Sequence, residues 1–241
     1  MAPLVTKVSA LALIRIIVSV YGLDWLRGEQ MVMQLLAWTG AVAMIAGGLL
    51  AFLQSNLRRM LAMSSVAQIG LVVAGLGQAG SWTVAGSILH VLSDSLMKST
   101  LFLAAGIALL HYGIERVDQL GRLRGRSPWL MAFFTIGGLS LLGIPPLCGF
   151  FGKYYVIAGA LRQQHWALAA AVILGSVMSG LYVFRLLERM YFSKPENGEW
   201  RTASTPGLVA ACGVLAAGVI IFGLFNQGVV THLILPMIGG E

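Results

Sequence analysis

The sequence predicts an all-α integral membrane protein of about seven transmembrane helices. Three observations carry that reading. Apolar residues make up 58% of the chain and charged residues 10%, with a mean hydropathy of +0.84, whereas soluble domains hold about 25% charge. Apolar runs of spanning length recur along the 241 residues, each long enough to cross about 30 Å of hydrocarbon. Finally, the basic residues gather in alternate breaks between those runs, as they do in membrane proteins with a fixed orientation.

The runs fall at 2–22, 31–53, 60–77, 82–110, 129–160, 165–192 and 205–226, the third short and the fourth and fifth over-long. The breaks carry ordinary polar and turn chemistry: Asp24 to Glu29, Gln54 to Arg59, the glycines around Gln78, Gly113 to Ser127, and Ser193 to Pro206. The start does not fit a cleavable signal peptide, because Lys7 and Arg15 sit within the first apolar run rather than before it.

Numbering the breaks alternately puts Arg58, Arg59, Arg116, Arg122, Arg124, Arg126, Lys194 and Arg201 on one side, with Arg185 and Arg189 at the adjoining helix end. Arg27 and Arg162 fall on the other. The positive-inside rule then places the basic side and the N-terminus in the cytoplasm, and Glu241 outside. The same placement accounts for the net charge of +7 through contact with a lipid bilayer and its anionic headgroups, so nucleic acid is not expected as a partner. Gly75-Leu76-Gly77-Gln78-Ala79-Gly80 follows an apolar run rather than a strand and lacks a ribose-binding acid, so it reads as a turn and not a dinucleotide site. Cys148 and Cys212 stand alone in apolar runs, with no metal or redox spacing. Neither a metal nor a cofactor is expected.

Four cations remain inside the spans: Lys7, Arg15, Lys98 and Lys153. An ionisable group at mid-membrane costs about 2.5–3.5 kcal/mol on insertion scales, so such groups face a bundle interior or water and mark ion paths. His90, Asp94 and Lys98 are spaced four apart and share one helix face, one turn from the next. Histidine titrates near neutral pH and the proton affinity of a lysine follows its surroundings, so the row has the chemistry of a proton relay. Ser93 and Ser95 stand ready to hold water beside it. The structural alternative is a buried Asp94–Lys98 ion pair that fixes packing, with His90 as a satisfied core histidine.

The run Gly143-Ile144-Pro145-Pro146-Leu147-Cys148-Gly149 must interrupt its helix and free backbone groups that need partners. Broken helices mark transport sites in other membrane folds. Lys153 follows the break by one turn, well inside an apolar run, which favours function over snorkelling. Lys7 and Arg15 lie roughly 12 Å apart on one helix. Lys7 is the better mid-path candidate, while Arg15, charged at any pH, suits a fixed structural role.

Several blocks in order resemble the proton-channel family shared by antiporter-like subunits of respiratory complex I, Mrp cation/proton antiporters and membrane-bound hydrogenases. They are Thr6-Lys7-Val8 through Arg15, Gln54 through Ala62, Ser64 through Gly70, His90 through Lys98 with Phe102 to Gly106, and Gly143 through Lys153. The Mrp D-like and hydrogenase-linked members look most similar. The resemblance implies a fourteen-helix fold built on two inverted five-helix repeats, of which this chain would supply the C-terminal half: a first helix with its central lysine at 1–30, one five-helix antiporter-type repeat with its discontinuous helix at 31–192, and a loop and last helix at 193–241. It implies that Lys7 is a central-axis lysine, Lys98 the next, and Lys153 the end of an outward half-channel, with His90 and Asp94 beside them. Relatives often carry His or Asn at the Asp94 position, and Arg58 stands where lysine is common, as a conservative loop charge.

What the resemblance implies is a proton (or cation/proton) translocating subunit of a multisubunit complex in a bacterial-type cytoplasmic membrane, possessing no redox centre of its own. Its partners would be other membrane subunits, including a chain supplying the N-terminal half. The alternatives are a non-conducting structural or assembly subunit, or a truncated gene product.

Overall fold

A computed structural model describes residues 2–22, 28, 30–193 and 206–238. Met1, Arg27, Lys194, Arg201 and Glu241, which entered the charge count above, lie outside the described residues. The described residues form helices and turns without a named strand. Helix α1 (Ala2–Arg15) widens into a π-type turn at Ile16–Tyr21, and is followed by α2 (Gln30–Leu53), α3 (Leu57–Leu76) and α4 (Ser81–Tyr112). A 3₁₀ turn at Val117–Leu123 leads to α5 (Pro128–Leu142) and α6 (Cys148–Arg162), then to α7 (Trp166–Phe192) and α8 (Pro206–Leu224). Short helical turns at Asn226–Val229, Val230–Ile234 and Leu235–Met237 close the described chain.

Five of these helices, α2, α3, α4, α7 and α8, are long and apolar enough to cross a membrane, and α5 is a shorter apolar helix. Helix α1 and the interrupted pair α5/α6 complete the expected set. The over-long run at 129–160 is thus two helices divided at Gly143. Arg58 and Arg59 lie in the first turn of α3 rather than in a loop, because the Asn56 side chain accepts a hydrogen bond from the Arg59 amide at 3.1 Å and starts the helix early.

Helix α4 is the axis of the molecule. Its 32 residues extend about 48 Å, and it packs against α1, α3, α5, α6 and α8. Among the other pairs, α2 and α3 approach closely through small residues. A Cβ added to Gly70 would sit 2.5 Å from the Met44 nitrogen, and one on Gly47 would sit 2.6 Å from the Ala67 nitrogen. Between apolar helices in lipid, this intimate backbone contact stands in for the hydrophobic drive that water supplies elsewhere. The outer surface is apolar: Met31, Trp129, Phe184, Phe192 and Val214 are all largely exposed.

The two ends of the bundle differ. At one end the α2–α3 link and the α4–α5 link are joined by backbone hydrogen bonds, Leu57 to Glu115 at 2.8 Å and Val117 to Ser55 at 2.9 Å, around an Asn56–Arg116 bridge. Asp118 sits there among Arg116, Arg185 and Arg189, at 3.5, 3.9 and 3.7 Å. Arg185 also donates to the carbonyls of Phe52 and Gln54. These contacts gather the α2–α3 link, the α4–α5 link and the end of α7 at one end, as the charge count expected. Arg162 lies apart from them, its guanidinium 4.3 Å from the Trp82 ring centroid.

Candidate functional site

The row on α4 occupies the middle of that helix and is wholly enclosed: His90 and Lys98 are 0% exposed and Asp94 is 1% exposed. Its three side chains meet three different neighbours. Asp94 forms an ion pair with Lys7 of α1, itself buried. Lys98 donates to the Leu61 carbonyl at 3.1 Å and to the Ser64 hydroxyl, both on α3. His90 meets the Gln68 amide oxygen through Nε2 at 2.9 Å. The Asp94–Lys98 pair of the structural alternative therefore does not form, since the carboxylate is directed to α1. Ser93 and Ser95 return their hydroxyls to the carbonyls of Leu89 and Val91, four residues back, instead of turning them to the row.

The interruption between α5 and α6 is held from several sides. Gly143 takes a left-handed conformation with φ +94°, and its amide bonds back to Leu139 and Ser140, closing α5. A cis Pro145–Pro146 bond lies in the connecting segment. The Gly149 amide donates to the Ser140 hydroxyl at 3.1 Å. Gly223 of α8 packs against the break so closely that a Cβ there would lie 2.7 Å from the Cys148 nitrogen.

Lys153 reaches back from α6 across this gap. Its ammonium donates to the Leu141 and Leu142 carbonyls at 2.9 and 3.0 Å. These are last-turn carbonyls of α5, which have no partner within the helix. The negative end of a helix dipole favours a cation there. The lysine is 6% exposed, and Gly152 beside it lies against the ring of His90.

The structure thus brings Lys7, His90, Asp94, Lys98 and Lys153 into one buried region, bordered by the Gly143 to Gly149 break. Arg15 and Arg58 are exposed and stand outside it. Among the described residues, no group of three or more His, Cys, Asp or Glu side chains is placed to hold a metal ion.

Sequence reasoning passed over the polar residues that receive these charges. Ser64 and Gln68 lie one turn apart on α3, and Gln68 further donates to Ser179 and to the Tyr182 hydroxyl of α7, each at 3.5 Å. All four are buried. The available signal was the polar spacing 64/68 inside an apolar helix and its counterpart at 179/182.

Residues 1–179 match the family described as "NADH:quinone oxidoreductase/Mrp antiporter, TM". The chain is 34% identical to NADH-quinone oxidoreductase subunit N of Desulforudis audaxviator, over 97% of this chain and 49% of that protein. It is 32% identical to F(420)H(2) dehydrogenase subunit N of Methanosarcina mazei, over 85% of this chain and 42% of the other. Among solved structures, a chain of the Mrp complex from Dietzia sp. DQ12-45-1b superposes with a TM-score of 0.82 at 23% identity, covering 93% of this chain and 49% of that one, a likeness of fold. A chain of the archaeal membrane-bound sulfane sulfur reductase gives 0.79 at 26% identity, covering 95% and 46%. The chain spans about half the length of the curated relatives it matches.

Proposed function

Because this chain belongs to the NADH:quinone oxidoreductase/Mrp antiporter transmembrane family, we propose that it is a proton (or cation/proton) translocating membrane subunit of a complex I-like, Mrp-like or hydrogenase-linked assembly. One observation carries the proposal: Lys7, His90, Lys98 and Lys153, drawn from three helices, are buried together at the centre of an apolar bundle. Burying so many ionisable groups is costly for a part that only packs, and the cost is ordinary for one that passes protons. The relay would run through Lys7 with Asp94, His90, Lys98 and Lys153.

In this reading residues 31–192 form a five-helix antiporter-type repeat, and its broken helix opens a half-channel to the outer side. The basic end, with Arg116 to Arg126, faces the cytoplasm of a bacterial-type membrane. A second chain supplies the N-terminal half and the other entrance, and it covers the outer face of α1, where Val8 and Leu11 are exposed.

The test is proton flux across liposomes under an imposed potential, with this chain reconstituted alone and together with a co-expressed N-terminal-half chain. Flux is expected only in the assembled pair, and Lys153→Ala should abolish most of it while co-purification of the two chains is unchanged. Undiminished flux in an assembled Lys153→Ala complex would remove Lys153 from the path.

A further inference from the structure

The hydrogen-bond directions around Gln68 determine which nitrogen of His90 carries its proton. A hydroxyl has one hydrogen to give and an amide oxygen has none. Ser179 gives its hydrogen to the Gly175 carbonyl at 3.1 Å. Ser64 gives its own to the Leu61 carbonyl at 2.8 Å and accepts from Lys98.

With its own hydrogen given to Gly175, Ser179 on α7 acts toward Gln68 only as an acceptor. The amide NH₂ of Gln68 turns to Ser179 and Tyr182, and its oxygen turns to His90. An oxygen that only accepts requires a hydrogen on His90 Nε2. The other ring nitrogen, Nδ1, is buried and has no hydrogen-bond partner among the described residues. A second N–H there would be an unsatisfied buried donor, costing about 1–3 kcal/mol, so Nδ1 presents a lone pair. It faces α6 where Gly152 has no side chain: a Cβ at that position would sit 2.8 Å from Nδ1. Lys153 is the next residue.

We propose that Ser179 and Tyr182 are positioning residues which, through Gln68, hold His90 as the Nε2–H tautomer and keep Nδ1 as its proton-accepting nitrogen, turned to α6 beside Lys153. The proposal deepens the relay reading and rests on it for the meaning of that nitrogen. It gives the histidine a direction: a proton arrives on the α6 side at Nδ1, while Nε2 stays bonded to Gln68. Lys7 on α1, Asp94 and Lys98 on α4, and Lys153 on α6 are the charged groups around the ring.

The test is nitrogen NMR of the full chain in lipid bilayers at neutral pH, with ¹⁵N-labelled histidine and the His90 resonances identified by their loss in His90→Gln. The native chain should show one neutral form, with Nε2 protonated and Nδ1 bare. Gln68→Glu should retain that form, because a carboxylate also only accepts. The double variant Ser179→Ala/Tyr182→Phe frees the amide to turn and should add a second set of resonances from the Nδ1–H tautomer. A native Nδ1–H form, or a double variant with the single native form, would overturn the proposal. The tautomer is read without transport, so unchanged proton flux in His90→Gln would sink the relay reading alone.

Discussion

An ammonium that faces a carboxylate inside an apolar bundle depends on that carboxylate far more than a surface lysine would. Lys7 and Asp94 are 5% and 1% exposed and pair across α1 and α4. Removing one partner of such a pair leaves an uncompensated charge and costs about 3–5 kcal/mol, whereas replacing both with apolar residues is often neutral. Asp94→Asn should therefore lower the stability of the detergent-solubilised chain by about that amount, and the double variant Lys7→Met/Asp94→Leu should recover most of it. Thermal unfolding of the two variants checks this, and equal losses in both would show that the pair is not the source. At this scale the sequence revealed the charged residues one by one, because each stood out in an apolar run. It did not reveal who holds whom. The spacing of His90, Asp94 and Lys98 invited a reading along one helix, but the actual partners, Lys7, Gln68 and Ser64, come from two others, and their distance along the chain hides the contact.

The interrupted helix is the element where backbone and side chain are most closely joined. Gly143 closes α5 at φ +94°, a conformation that costs a residue bearing a Cβ about 1–2 kcal/mol. An added Cβ would also sit 3.3 Å from Lys153 Cδ and 3.6 Å from Nζ. Gly143→Ala is expected to lower both stability and proton flux. Gly113 ends α4 at φ +60° with open space around it, so Gly113→Ala should carry the backbone strain without the loss of flux. Parallel unfolding and flux assays separate the two, and equal flux in both variants would show that Lys153 tolerates the intrusion. The break itself was legible, since paired prolines between glycines cannot continue a helix. That Lys153 satisfies the carbonyls left open by the break was not, because the lysine's own helix begins only after the chain has turned. The start of α3 was misplaced for a smaller reason: the capping by Asn56 draws Arg58 and Arg59 into the helix, where composition alone made them loop.

Across the whole molecule, the helix count, the apolar skin and the gathering of arginines at one end were all legible, because bilayer thickness and charge distribution act on stretches of sequence rather than on single contacts. The packing order was not, since it depends on small residues such as Gly47 and Gly70, whose value appears only when two backbones meet. The Lys7–Asp94 pair also sets a timetable. A ribosome working at about 5–20 residues per second needs roughly 4–17 s to pass from Lys7 to Asp94, and during that interval the first helix has its cation but not its counter-charge. We predict that α1 waits at the insertion machinery until α4 emerges, and that site-specific crosslinking of stalled nascent chains will find α1 beside that machinery before residue 94 is made and released from it afterwards. Early release at every chain length would sink this idea. The carboxylate on α4 would then do more than neutralise a lysine: it would mark the moment in synthesis at which the first helix is free to leave for the bilayer.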